Sequence, residues 1–233
     1  MPANLPLGKV VEKQMRNWEL SRQQRPDVDQ QRDERDVEDF VAISRAIAAG
    51  GRRVAEALAE RLGWPLFDRE ILQHMAEDNA LRERIYDHMD ERDTSWVESV
   101  LRWLLQGELR KEDYHHRLVE TALALARQGH GIFLGRGLDL VLPEHRGLRV
   151  RITAPEIMRV RTYAQRKQCS EKEAREKLEF IRRERREFIR HVLRRDPEDE
   201  ARFDLVVNLR RLSLDDTVEL IMVAMRQRGM LVE

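Results

Sequence analysis

FVAISRAIAAGGRRVAEALAERL, residues 40 to 62, changes its periodicity at the midpoint. Phe40, Val41, Ala42 and Ile43 form an apolar run of strand length. After small residues and the pair Gly50-Gly51, the apolar positions Val54, Ala55, Leu58, Ala59 and Leu62 recur at helical spacing. A buried strand that turns through glycines into an amphipathic helix aims unpaired backbone N–H groups, and the positive end of the helix dipole, at whatever occupies the turn. Such a turn is a cradle for a phosphate group.

Against the Walker pattern G-x-x-x-x-G-K-[ST], the chain has Ala46 at the first glycine, Gly51 at the second, Arg52 at the lysine and Arg53 at the hydroxyl position. Only Gly51 matches. Strand, tight turn and helix also meet at junctions that bind nothing, so this stretch alone leaves both readings open.

The 233 residues suffice for one sizeable core, or for one core with a subdomain. Charged residues make up 37% of the chain, above the usual quarter, so much of the surface is charged helix. Lysine plus arginine equal aspartate plus glutamate at 43 each, which removes any global field for nucleic acid or an anionic membrane and requires an anion site to be local. Cys169 is the only cysteine, so no internal disulfide or thiolate zinc cluster can form. The seven histidines are scattered and suggest no metal centre. Met1 to Val11 has no basic segment followed by an apolar core, and no apolar run approaches bilayer length; the expectation is a soluble, cytoplasmic protein.

Residues 1–39 divide into an arm and a polar, flexible linker, with Val11, Met15 and Trp18 on one face of a short helix. The arm is either a disordered tail or a segment that docks on this protein's own surface or on a partner. A helix is expected over Arg69–Asn79, with Asp68 as its N-cap. Further helices follow a cap signal at Asp93-Thr94-Ser95, on the Trp96, Val97, Val100, Leu101, Leu104, Leu105 stripe, and on the Leu118, Ala122, Leu125, Ala126 stripe.

A second strand, Gly131-Ile132-Phe133-Leu134, runs into Gly135-Arg136-Gly137, where two glycines admit a close ligand and the guanidinium can fork onto phosphate or carboxylate. Arg149–Thr153, RVRIT, reads as a third strand with apolar residues alternating against arginines, and Phe203–Asn208 as a fourth. Ser170 and Ser213 each open a helix with a capping box. Between Glu156 and Arg195 fourteen basic residues face seven acidic ones, so half of these cations lack a nearby acidic partner. Strands separated by helices imply a parallel sheet.

In this order the pieces resemble the cytidylate kinase-like family, a branch of the nucleoside monophosphate kinases, over about Phe40 to Met225. The likeness is carried by Ile43-Ser44-Arg45 before Gly50-Gly51-Arg52, by LFDREIL around Asp68, and by Gly135-Arg136-Gly137 with Val141-Leu142-Pro143. It continues through Ala154-Pro155-Glu156 with Arg159, Arg183-Glu184-Arg185, and Asp204-Leu205-Val206-Val207-Asn208. The resemblance implies a three-layer α/β/α P-loop core with a parallel sheet over residues 40–233, a helical insertion binding the nucleoside monophosphate (NMP) at 68–127, and an arginine-rich lid at 156–195. It further implies transfer of the ATP γ-phosphoryl group to a nucleoside monophosphate, most readily CMP or dCMP, with Mg²⁺. Gly50, Gly51, Arg52 and Arg53 would form the phosphate loop, Arg45, Asp68 and Arg136 would hold the acceptor, and Arg52, Arg159 and Arg185 would act on the transferred group. No side chain is assigned to a metal.

The departures fall on the chemistry. Ala48-Ala49 replaces Gly-Ser in the turn, so methyl groups are expected to intrude where backbone approaches phosphate. Arg53 stands at the Mg²⁺-binding hydroxyl, Gly137 at the aspartate of GRD, and Arg182 at a lid aspartate. Two alternatives to a kinase therefore stand: a nucleotide sensor of the same fold without turnover, and a docking module whose basic helices receive RNA or a protein. The partners expected are ATP and a nucleoside monophosphate rather than nucleic acid or membrane, with self-docking or homo-oligomerisation through the arm.

Overall fold

The computed structural model describes residues 6–23, 37–87, 89–105, 114–135, 137–191, 193–196 and 199–231. Five parallel strands, β1 (Phe40–Arg45), β2 (Leu66–Asp68), β3 (Gly131–Leu134), β4 (Leu148–Thr153) and β5 (Leu205–Asn208), pair in the order β2-β3-β1-β4-β5. This is the parallel α/β sheet that the resemblance implied. One strand is added to the sequence reading: β2 has three residues, too few for a two-residue period to register.

Strand alternation divides the core. Phe40, Ala42, Phe67 and Phe133 face one layer, while Val41, Ile43, Leu66, Ile132, Leu134, Val150 and Ile152 face the other. The second layer is α2 (Gly51–Leu62) and α10 (Leu214–Gln227). The first holds α1 (Leu7–Gln23), α3 (Arg69–Glu77), α4 (Asn79–Tyr86), α5 (Glu91–Leu105), α6 (Tyr114–Gln128) and the short α7 (Leu138–Val141).

The arm helix is seated on the protein's own body. Val11, Met15 and Trp18 are buried, the Trp18 indole donates to the Leu125 carbonyl at 3.1 Å, and Gln14 accepts from the Leu66 N–H of edge strand β2 at 2.7 Å. The polar connector expected after it lies largely outside the described residues.

Two helix boundaries differ from expectation. Asp78, extended at ψ 113°, ends α3 and caps α4 by accepting from the Leu81 N–H at 3.1 Å, so the helix expected over Arg69–Asn79 is two. Helix α5 starts at Glu91, because Asp90 accepts from the Asp93 N–H at 2.7 Å; Asp93 is drawn instead to the Arg127 guanidinium at 2.6 Å. Both serine caps form as reciprocal boxes, Ser170 with Glu173 and Ser213 with Asp216.

The basic segment folds as a helical hairpin, α8 (Glu156–Lys167) and α9 (Glu171–His191), with its own small core of Val160, Ala164, Ala174 and Leu178. No helix of the described residues is long and apolar enough to cross a membrane.

RVRIT hides a departure from simple alternation. Arg149, expected on the polar side of its strand, is 4% exposed, and its guanidinium donates to the carbonyls of Asp139, Leu142, Pro143, Glu144 and Arg146 at 2.6–3.3 Å. Burial lowers its pKa, yet the carbonyl dipoles that end α7 and line the following turn solvate the charge. Nearby, Arg202 pairs with buried Asp139 at 2.9 Å and fastens the segment that returns from the lid.

Candidate functional site

The carboxyl ends of the strands carry the candidate residues. Strand β1 ends at Arg45, and the chain turns through Ala46–Gly50 into α2. The first intrahelical bond of α2 runs from the Arg53 N–H to the Gly50 carbonyl at 2.9 Å, so the amides of Gly51 and Arg52 precede it in the donor-rich first turn. Gly50 has φ 91°, which suits glycine; Ala48 adopts a left-handed conformation at φ 59°.

The methyl groups expected to intrude are accounted for elsewhere. Ala48, with Ile47, packs against the small core of the lid hairpin, and Ala49 is buried. Both methyl groups are engaged by protein, so the two alanines do not by themselves fill the turn.

Four of the sequence-derived residues come together. Arg52 reaches Asp68 at 2.7 Å and also takes Glu56, one turn on, at 3.0 Å. Burial pulls the Arg52 pKa down, but Asp68, then Glu56 and Glu70, outweigh it and the net direction is upward: this cation stays charged. Asp68 is 3% exposed and is the N-cap of α3, accepting from the amides of Glu70 at 3.0 Å and Ile71 at 3.1 Å. Beside it, the Arg45 guanidinium covers Gly135, whose φ of 80° and missing Cβ make room for it. From helix α9, Arg185 donates to the Arg45 carbonyl at 3.2 Å. Since Asp68 pairs in register with Leu134, next to Gly135, these groups share one stretch of the sheet edge.

The remaining candidates are placed differently. Arg53 is exposed on the first turn of α2. Arg159 turns to the end of β4, where its Nε donates to the Ala154 carbonyl at 3.0 Å. Arg136 lies outside the described residues.

Two side chains that the sequence did not single out belong to the same edge. Arg151 lies 3.5 Å from the Ser44 hydroxyl and stacks on Phe203, whose ring centroid is 5.5 Å away. Ile47 links the turn to the lid. Arg151 alternates like any strand arginine, and Ile47 was indistinguishable from core filling.

Among the described residues the strand ends do not fit a protein-bound Mg²⁺ well. Of the five strand ends only β2 contributes a carboxylate, Asp68, and it is already bonded to Arg52 and to two amides. Among the described residues no three His, Cys, Asp or Glu side chains are grouped to hold a metal. The donor-rich turn and the arginines do fit a polyphosphate.

Comparison with known proteins agrees with this architecture. An uncharacterized protein from Eubacterium ventriosum has a solved structure with a TM-score of 0.65 at 18% identity, covering 82% of this chain and 99% of that one. Shikimate kinase from Acinetobacter baumannii gives a TM-score of 0.43 at 16% identity over 82% and 94% of the two chains. Dephospho-CoA kinase from Campylobacter jejuni gives 0.39 at 14% identity over 82% and 97%. A search of curated protein sequences returned no match. The model of the cytidylate kinase-like family matches residues 40–211, the sheet, the α8–α9 hairpin and the turn together. With that match over most of its length, this chain belongs to the cytidylate kinase-like family.

Proposed function

We propose that this protein transfers the γ-phosphoryl group of ATP to a nucleoside monophosphate, with CMP or dCMP the first acceptors to test. The observation that supports it is the convergence of Arg45, Arg52, Asp68 and Arg185, from four segments, beside the Gly50-Gly51 turn. In such a reaction a phosphate oxygen of the acceptor attacks the γ-phosphorus and the bond to the β,γ-bridging oxygen breaks; catalysis is alignment and charge neutralisation.

In this reading the amides of Gly51 and Arg52 receive the triphosphate, and the Arg52 guanidinium, held at Nη2 by Asp68 and at Nε by Glu56, offers Nη1 to it. Arg185 neutralises the charge on the transferred group from α9, and Arg159, held through Nε by the Ala154 carbonyl, joins it by turning from the end of β4. Arg45, Asp68 and Arg136 hold the acceptor. Mg²⁺, when bound, would bring Lewis-acid polarisation through phosphate oxygens and water; no step here is assigned to a protein ligand of it.

A second reading, a nucleotide sensor without turnover, is favoured by one contact: Ile47 and Ala48 of the turn are packed into the lid core, which ties the loop to a lid that a kinase must open in every cycle. A coupled assay with ATP and CMP, dCMP, UMP or AMP separates the two. Transfer to CMP or dCMP above background is expected. Absence of transfer to all four, with nucleotide binding retained in calorimetry, selects the sensor; absence of both overturns the two readings.

A further inference from the structure

We propose that a nucleoside triphosphate is held at this site without a protein-ligated divalent cation, its charge met by arginines. The inference rests on the nucleotide reading above and deepens it.

Mg²⁺ in phosphate-loop enzymes takes a hydroxyl oxygen from the start of the helix and a carboxylate, commonly at the end of a central strand. Here the hydroxyl position is Arg53, whose guanidinium is donor-only. The strands that flank the turn end without acid: β3 runs into Gly135-Arg136-Gly137, and β4 ends at Thr153 before Ala154-Pro155. Ser44, the hydroxyl nearest in sequence to the turn, lies against Arg151.

Among the described strand ends Asp68 is the one carboxylate that could serve, and three of its roughly four acceptor sites are taken. Oδ1 accepts two amides, Oδ2 faces Arg52 at 2.7 Å, and with 3% exposure no space remains for a hydrated ion. A divalent cation here would also sit among Arg45, Arg52 and Arg185, whose like charge offsets the attraction of Asp68 and Glu56. ATP carries about four negative charges when metal-free, and an arginine-lined turn neutralises them directly, each fork closing two hydrogen bonds on phosphate oxygens. The chemical class bound is therefore a polyphosphate that the protein recognises through guanidinium and amide donors rather than through a metal ligand of its own.

Calorimetric titration of the whole protein with ATP, once in EDTA and once in excess Mg²⁺, tests this. The expected result is an affinity in EDTA equal to or tighter than that in Mg²⁺, within about 3-fold, because free ATP meets the arginines undiluted by a competing cation. Arg53→Ser restores the hydroxyl and removes a cation. It should weaken binding in EDTA by roughly 10-fold while weakening binding in Mg²⁺ distinctly less, through loss of a charge-assisted bond in the first case only. Because Arg53 is exposed, the variant is expected to keep its melting temperature. ATP binding that appears only with Mg²⁺ overturns this inference and leaves the nucleotide reading intact. Absence of binding in both buffers overturns the two together.

Discussion

Arg52 and Asp68 meet at 2.7 Å across the junction of the phosphate turn and strand β2, one partner half exposed and the other buried. The pair joins two roles in one carboxylate: Asp68 caps α3 and also fixes the direction of the guanidinium that stands where a P-loop lysine would. Asp68→Asn keeps an oxygen for the cap and loses the charge, whereas Asp68→Ala loses both. Asp68→Ala should therefore melt lower than Asp68→Asn by the equivalent of about 1 kcal/mol, the usual worth of an N-cap. Equal melting curves for the two variants would show that the cap contributes nothing.

Arg52→Ala tests the other partner. Asp68 is buried, so removing the guanidinium leaves its carboxylate with two amide partners and should cost roughly 1–3 kcal/mol. ATP affinity should fall by about 10-fold or more, as expected for loss of charge-assisted hydrogen bonds. Calorimetry and a thermal melt on the same sample separate the two effects, and an unchanged affinity would remove Arg52 from the site.

The α8–α9 hairpin has a core of its own, distinct from the two that flank the sheet, and Ile47 and Ala48 are packed against it. Val160→Ala should weaken that core by about 2 kcal/mol, or roughly 30-fold in local opening. Hydrogen exchange should then quicken through α8 and α9 and in the phosphate turn, with the strands unaffected. Faster exchange confined to the lid, with the turn unmoved, would show that the two are not coupled.

Arg149 binds five carbonyls with one buried guanidinium. Arg149→Met fills similar volume but orphans those acceptors, and should cost at least about 3 kcal/mol. A urea midpoint within error of the parent, at equal slope, would count against this role.

The capping boxes carry a pH signature. Hydrogen bonds from the Ser213 side chain and backbone hold the Asp216 carboxyl below its ordinary pKa, and Ser170 does the same to Glu173. Depressed folded values mean stability that is complete above the unfolded carboxylate pKa and is lost as pH falls through the lower, folded one. A carboxyl-carbon NMR titration should show Asp216 ionising below the usual carboxylate range, and Ser213→Ala, which removes the hydroxyl but keeps the backbone N–H, should bring it part of the way back. An identical midpoint in the variant would refute the assignment.

Much of this protein was open to reading from local pattern. The apolar runs at Phe40 and Gly131, the helical stripe after Gly51 and the serine boxes at 170 and 213 are short-range features, each set by a period of two or 3.6 residues or by a cap within three residues. They were enough to place a parallel sheet and to carry the family resemblance. Tertiary packing decided the rest. Strand β2 is too short to announce itself and exists because it pairs with β3 under the arm helix. The methyl of Ala48 was expected to block the turn, yet the lid takes it, a contact between residues more than a hundred positions apart. Arg149 looks in sequence like any outward arginine of a strand, and only the turn of carbonyls folded around it makes its burial tolerable. Periodicity reports which face a residue occupies; what waits on that face is set by distant segments, and a charge's environment is a sum over neighbours that the linear order does not contain.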